Sequence, residues 1–172
     1  MIQTDAAALW SSLMATVRQL VPLKAEAAQA DRSSLINAAR ASLATPLEQR
    51  WALEVLVWLD PAVTLALLED VVRIGALSHR DALLTRQVLG RLPRRAIAKP
   101  LHAIVDKMLV TADDDGYRRL AELVQHLGLS VALGSIVDSA LASTDPHTRE
   151  VGEEFQASRS CSERTDISAQ SR

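Results

Sequence analysis

The sequence predicts an all-α protein, arranged as a short right-handed α-solenoid of about four antiparallel helix pairs. Of its 172 residues, 48% are hydrophobic but only 3% are aromatic. Such an aliphatic composition favours packed helices over sheets. Apolar residues also recur at helical spacing, as at Tyr117, Leu120, Val124 and Leu127, and no segment alternates with the period of two that is typical of strands. The third observation is a regular spacing of helix starts along the chain.

Each of the first two helices follows a residue that commonly caps a helix N-terminus. The candidates are Thr4 or Asp5 for the first helix and Ser33 or Ser34 for the second. The first helix is expected to run to Val21 and to end at Pro22, because proline lacks an N–H group and clashes with the preceding turn. A looser Ala-rich stretch follows, and the second helix covers residues 35–44.

Prolines and capping residues open the later helices. A proline in the first turn costs nothing, because its missing N–H would have no partner there. The predicted helices are 46–59, 62–76, 80–92, 94–110, 117–127, 131–142 and 146–155. Pro100 predicts a kink or a late start within its helix. Gly128 can adopt the left-handed conformation that ends a helix. The segment Trp51–Leu59 is apolar nearly all round, so Trp51 and Trp58 are expected to pack in the core rather than to anchor an interface.

The capped starts repeat along the chain. Thr45, Ser78, Asp113 and Asp145 are separated by 33, 35 and 32 residues, and one internal breaker divides each interval. This period predicts stacked helix pairs; the alternative is an irregular helical bundle. We therefore expect one helical-repeat domain over 1–155, with an irregular N-terminal pair at 1–44 and repeats at 45–155. Residues 156–172 are expected to form a disordered tail, because their only large aliphatic residue is Ile167.

The unit DDDGYRRLAELVQHLGLSVALGSIVDSALAS, followed by TDPHTREVGEEF, resembles HEAT or armadillo-type repeats. The similarity covers residues 45–155. It depends on the recurring Asp-rich or Pro-bearing start, on the arginines that follow it (Arg118 or Arg119, and Arg149), and on Asp60 in the turn between paired helices. The turns at Leu92-Pro93 and Gly128-Leu129 depart from the pattern, since they lack the expected aspartate. The resemblance implies a curved stack that binds or scaffolds proteins, and it implies no chemistry.

No motif of the sequence points to catalysis, a cofactor or a metal. The six glycines occur singly, and the four histidines form no pair with metal-ligand spacing. The run Asp113–Asp115 lacks the alternating oxygens of a calcium loop and fits the N-terminus of a helix better. The single cysteine, Cys161, excludes an intrachain disulfide and is expected to be an exposed thiol. The chain is therefore predicted not to be an enzyme.

Charge is segregated along the sequence. Segments 45–70 and 113–154 carry net charges of −4 and −6, whereas segment 72–107 carries +6. The basic residues nearest the turn at Pro93 are predicted to contact an acidic partner protein. They are Arg86, Arg91, Arg94, Arg95 and Lys99. The alternative is that they complement helix dipoles or pair with the flanking acids.

These patterns predict a non-catalytic protein-binding or scaffold module. The alternatives are an immunity protein that neutralises a toxin, a protein that grips a nucleic-acid backbone, and an enzyme whose site is assembled from dispersed residues. The net charge of −2, the acidic flanks and the lack of aromatic residues beside the arginines argue against nucleic acid. The start MIQTDAAALW has no signal-peptide pattern, and the most apolar stretch, 51–77, is interrupted by charges and Pro61. We therefore expect a cytoplasmic location and no membrane contact, and leave the oligomeric state open.

Overall fold

The computed structural model describes residues 5–78 and 80–169, with side chains as far as residue 157. These residues contain ten helices and no strand, which confirms the all-α fold class. The helices are α1 (Ala6–Gln29), α2 (Arg32–Ala44), α3 (Gln49–Leu56), α4 (Pro61–Ala66), α5 (Leu68–Leu77), α6 (Ala82–Gly90), α7 (Arg94–Leu109), α8 (Asp114–His126), α9 (Ser130–Leu141) and α10 (Pro146–Ala169).

Several helix ends lie where the sequence predicts them. Asp5 caps α1 by accepting a hydrogen bond from the N–H of Ala7 at 3.0 Å, and Asp113 caps α8 by accepting from Gly116 at 2.9 Å. Gly128 has φ of +67°, the left-handed conformation that a side chain disfavours. The N–H groups of Gly128 and Leu129 donate back to the carbonyls of Gln125 and Val124. These two bonds form a Schellman motif, which explains why α8 ends there.

The prediction that Pro22 ends the first helix is wrong. Proline 22 lies inside α1, which continues through the expected loose stretch to Gln29. The proline leaves the carbonyl of Arg18 without its helical donor. Because Arg18 is exposed, water can satisfy that carbonyl, and the helix therefore continues.

Other boundaries also differ from the sequence prediction. The cap of α2 is Asp31, which accepts from the N–H of Ser34 at 2.8 Å, so the predicted serine caps are wrong. The predicted helix 62–76 is divided at Leu67 into α4 and α5. Pro100 lies inside α7, so a late start after it is also wrong. Helix α10 continues past the expected end at Phe155 to Ala169. The disordered tail expected over 156–172 stays a prediction, and residues 170–172 lie outside the described part of the chain.

The predicted burial of the tryptophans is wrong as well. Trp51 is 67% exposed and Trp58 is 54% exposed, and Val55 between them is 53% exposed. Only one face of this segment is buried, at Leu53 and Leu56. A helix that is apolar on both faces can therefore still leave one of these faces exposed.

The chain divides into two compact units, one ending at Ala66 and the other beginning at Leu67. In the first unit, α2 packs against α3 and α4. In the second unit, α5 packs against α6, α7 and α8, while α9 packs against α7, α8 and α10. Helix α8 also contacts α10. Its buried residues are Tyr117, Leu120, Ala121, Leu123 and Val124, which makes α8 central to the core of the second unit.

Asp145 stabilises the start of α10. Its carboxylate accepts from the N–H of Thr148 at 2.9 Å and from the Thr148 hydroxyl at 2.7 Å. These hydrogen bonds, chiefly the one from the Thr148 side chain, lower the pKa of Asp145 below its ordinary value of 3.8. A carboxyl group whose pKa is lower in the folded state adds stability above its unfolded pKa, and loses it as the pH falls through the folded pKa.

We expect Asp145→Ala to lower the melting temperature at pH 7, because α10 loses its cap. The difference from the wild type should shrink as the pH falls below about 3.8. Thermal unfolding followed by circular dichroism, at pH 7 and at a pH below about 3.8, measures the difference in melting temperature. Asp138→Ala is the control: Asp138 is exposed within α9, and the described part of the chain gives its side chain no partner. An equal effect of both substitutions would contradict the cap.

Candidate protein-binding surface

The predicted basic residues lie around one corner of the second unit. Arg86 is within α6, Arg91 immediately follows that helix, and Arg94, Arg95 and Lys99 belong to the first part of α7. Pro93 stands between the two helices as the N-cap of α7. We call the group Arg91, Arg94, Arg95 and Lys99 the α6–α7 corner. All four of these residues are exposed.

Arg86 is engaged within the chain. Its guanidinium donates to the carboxylate of Glu122 in α8 at 2.7 Å, and its side chain is only 27% exposed. Lys107, also in the basic segment, donates to Glu69 of α5 at 2.8 Å. Some basic residues of segment 72–107 thus pair with acidic residues of the flanking segments. This is the arrangement expected if the basic residues serve the fold rather than a partner.

Arg94 lies against the turn between α8 and α9. A Cβ added to Gly128 would lie 3.0 Å from the Cζ of Arg94, so the guanidinium covers the turn at its glycine. The absence of a side chain at residue 128 therefore serves two purposes. It permits the left-handed conformation and gives space to the arginine. The contact connects the α6–α7 corner to the turn between α8 and α9.

Arg95 and Lys99 are different, because within 5–78 and 80–157 neither makes an ion pair or a hydrogen bond from its side chain. They are four residues apart, so they occupy neighbouring positions on one face of α7. The opposite face is buried at Ile97, Leu101 and Val105. The two cations therefore point away from the core.

The first turn of α7 concentrates positive charge. It carries Arg94 and Arg95, it contains no acidic residue, and its N-cap, Pro93, supplies no side-chain hydrogen bond. The N-terminus of a helix has a partial positive charge, so basic residues there are unfavourable rather than dipole-complementing. Exposed cations near the positive end of a helix attract carboxylates. Such a site can bind an anion, but it contains no nucleophile or general base.

A second polar feature lies between α5, the end of α7 and the start of α8. It is a cleft of about 420 Å³, lined in part by Glu69, Arg73, Lys107 and Asp113. The hydrogen bond from Lys107 is the main cause that lowers the pKa of Glu69, with Arg73 contributing less. The Glu69 carboxylate is thus held ionised by two cations, which disfavours a role for it as a general acid.

In the described part of the chain, no three His, Cys, Asp or Glu residues are grouped so as to hold a metal ion. Asp113 and Asp115 instead bond to Gly116 and Arg119. His79 and the side chain of Cys161 lie outside the described residues. None of the helices described is both long enough and apolar enough to span a bilayer.

Sequence reasoning missed a broad apolar surface in the first unit. Of the seventeen large hydrophobic side chains that are exposed in the described residues, thirteen belong to this unit. The signal was present in the sequence: the 3,4-spaced series Trp10, Leu13, Val17, Leu20 continues across Pro22 to Lys24 and Ala27. That continuity would have indicated one long helix with a single apolar face.

The two surfaces differ in kind, since the α6–α7 corner is charged and the surface of the first unit is apolar. The five-residue partner site stays a prediction, and Arg86 pairs with Glu122 within the chain. Comparison with known proteins finds no matching family model, no similar curated protein and no similar solved structure.

Proposed function

We propose that the chain is a non-catalytic module that binds an acidic segment of a partner protein through the α6–α7 corner. The observation that carries this proposal is the first turn of α7, where Arg94 and Arg95 add to the positive end of a helix that has no acidic residue or side-chain cap. This arrangement is unfavourable in the isolated chain. A carboxylate of a partner would remove that cost and form charge-assisted hydrogen bonds.

The second unit is proposed to be a HEAT-like stack of antiparallel helix pairs. Its helix contacts support this arrangement. Helices α5, α8 and α10 contact one another in chain order, as do α7 and α9, while α6 packs on α5 and α9 packs on α8. Such a pattern is expected when two layers of helices are stacked pair upon pair. A stack of this kind presents its turns at an edge, and the α6–α7 corner is one of these turns.

A protein partner suits the corner better than a nucleic acid. The phosphate backbone is best held by a long basic track, whereas here the exposed cations occupy one corner and the basic segment partly pairs with Glu69 and Glu122. Tyr117 is the one Phe, Tyr or Trp residue in 67–154. It is buried, with its hydroxyl 2.9 Å from that of Ser139, so it does not offer an exposed ring for base stacking.

The test is quantitative affinity purification with the tagged full-length chain and with the double variant Arg95→Glu, Lys99→Glu. We expect the wild type to enrich an acidic protein whose apparent affinity falls at least about tenfold in the variant, because two attractions become repulsions. Raising the salt concentration should weaken the same complex.

The matched control is Arg18→Glu, Arg80→Glu, which makes the same change in net charge at two exposed arginines outside the corner. It should retain the partner. Capture of the same proteins by all three chains would overturn the proposal. Retention of the wild type on duplex DNA, lost in the corner variant, would assign the corner to nucleic acid instead.

A further inference from the structure

The first helix has an apolar face that its own chain does not bury. Helix α1 is 24 residues long, and none of its residues is buried. Eight of its large hydrophobic side chains are about one-third to two-thirds exposed: Leu9, Trp10, Leu13, Met14, Val17, Leu20, Val21 and Leu23. Most helices in proteins depend on tertiary packing of an apolar face rather than on intrinsic propensity. Helix α1 therefore lacks a covering surface in the part of the chain that the structure describes.

The spacing of these residues is that of a coiled-coil seam. Trp10, Val17 and Lys24 are seven residues apart, and so are Leu13, Leu20 and Ala27, which places the two sets at heptad positions a and d. Apolar residues continue at the flanking e and g positions, with Leu9, Met14, Val21 and Leu23. Arg18 and Glu26 lie on the opposite, polar side. The heptad face is therefore unusually wide, as in helices that pack against more than one neighbour.

Residues of the first unit outside α1 extend the apolar surface. Trp51, Val55 and Trp58 are each more than half exposed, and Val55 and Trp58 line one side of an apolar groove of about 380 Å³ whose other side is α1. The ammonium of Lys24 lies 5.9 Å from the ring centre of Trp58. Eleven large apolar side chains on this surface are each about one-third to two-thirds exposed. Covering all of them would bury an area on the order of the ~800 Å² that each partner contributes to a standard interface.

We infer that this surface is a homodimer interface, in which α1 and the neighbouring tryptophans contact the same residues of a second copy. Three properties favour a second copy over a different protein. The apolar character is that of homodimer interfaces, which are more apolar than those of transient complexes. A second copy is always available to a helix that has no core of its own. A self-matching patch also closes with two-fold symmetry, which is the commonest form of assembly.

The charges of α1 provide a fourth argument. Different partners are usually selected by charges at the e and g positions of a heptad. In α1 these positions are apolar except for Thr16, and Lys24 is the one charged residue on the whole heptad face. The helix thus has no charge pattern that would reject a second copy. This inference is independent of the proposed function, because it involves no residue of the α6–α7 corner.

The tryptophans report directly on this interface. The chain has three, Trp10, Trp51 and Trp58, and all three are exposed on the proposed surface. We expect sedimentation equilibrium of the full chain to give twice 18.7 kDa. Dilution over about a 100-fold range should shift tryptophan emission to the red as the mass falls, and the melting temperature should rise with concentration. A single-chain mass with fully exposed tryptophans at the highest concentration would overturn the inference.

The variants are Leu13→Glu and Val17→Glu, which place a carboxylate on the heptad face and leave the reporter tryptophans in place. Each should yield the single-chain mass. Matched controls are Leu83→Glu in α6 and Val131→Glu in α9, which change side chains that are 77% and 74% exposed in the second unit and should leave the dimer intact. Arg95→Glu, Lys99→Glu should also remain dimeric. Dimers of equal stability in all variants, or a one-to-one complex with another protein, would contradict the proposed interface.

Discussion

Leu120→Ala is expected to lower the free energy of unfolding of the second unit by about 2–5 kcal/mol. Leu120 is 0% exposed and lies on α8, the helix that packs against α5, α9 and α10. Truncation to alanine removes the transfer free energy of the leucine side chain and leaves a cavity that its neighbours fill only partly. Since a domain of this size is stable by about 5–15 kcal/mol, the change is large enough to shift its unfolding midpoint strongly.

Urea unfolding followed by far-ultraviolet circular dichroism measures this effect, because the three tryptophans lie outside the second unit and do not report on it. Leu83→Ala is the matched control, an identical truncation in α6 at a side chain that is 77% exposed. It should change stability by no more than about 0.5 kcal/mol. If the two variants unfold at the same urea concentration, Leu120 is not part of a packed core.

The fold class and many helix ends were predictable because they depend on local chemistry. A capping aspartate such as Asp113 satisfies N–H groups within its own first turn, and Gly128 takes up a left-handed conformation for the turn that it occupies. Such signals act over three or four residues. The apolar stripe of α8, from Tyr117 to Val124, likewise predicts the buried face that the structure has.

The errors arise where the deciding partner is distant in sequence or is solvent. Pro22 removes a helical hydrogen bond without ending α1, and the carbonyl that it frees can bond to water because the helix is exposed. The burial of Trp51 and Trp58 depends on whether another element packs against them. The spacing of apolar residues in the sequence does not specify this. The cap of α2 is an exception, because the deciding contact is local: Asp31 accepts from the N–H of Ser34, three residues further on.

The candidate site was predictable in position but not in detail. Charge segregation indicates the α6–α7 corner, since the clustering is a property of the sequence alone. That Arg86 pairs with Glu122, 36 residues further on, depends on how α6 packs near α8. Arg95 is at the start of α7, where the helix dipole does not stabilise it.

Gly75→Ala is expected to destabilise the second unit by about 1–3 kcal/mol, although alanine favours helices. Gly75 lies in α5, and a Cβ there would be 2.6 Å from Cγ2 of Thr85 and 3.5 Å from Cδ2 of Leu123. Thr85 is 0% exposed, and its β-branched side chain has little freedom to turn away. The absence of a side chain at residue 75 is therefore what permits α5 and α6 to pack so closely.

Gly90→Ala provides the opposite control within the same unit. No atom lies within 4 Å of a Cβ added to Gly90, so this substitution in α6 should leave stability unchanged or raise it by up to ~1 kcal/mol. Thr85→Ala identifies the clash, since it removes Cγ2 together with a buried hydroxyl that has no hydrogen-bond partner in the described structure. Gly75→Ala should cost at least about 1 kcal/mol less in that background. Equal costs in both backgrounds, measured by urea unfolding, would show that the glycine is needed for some reason other than contact with Thr85.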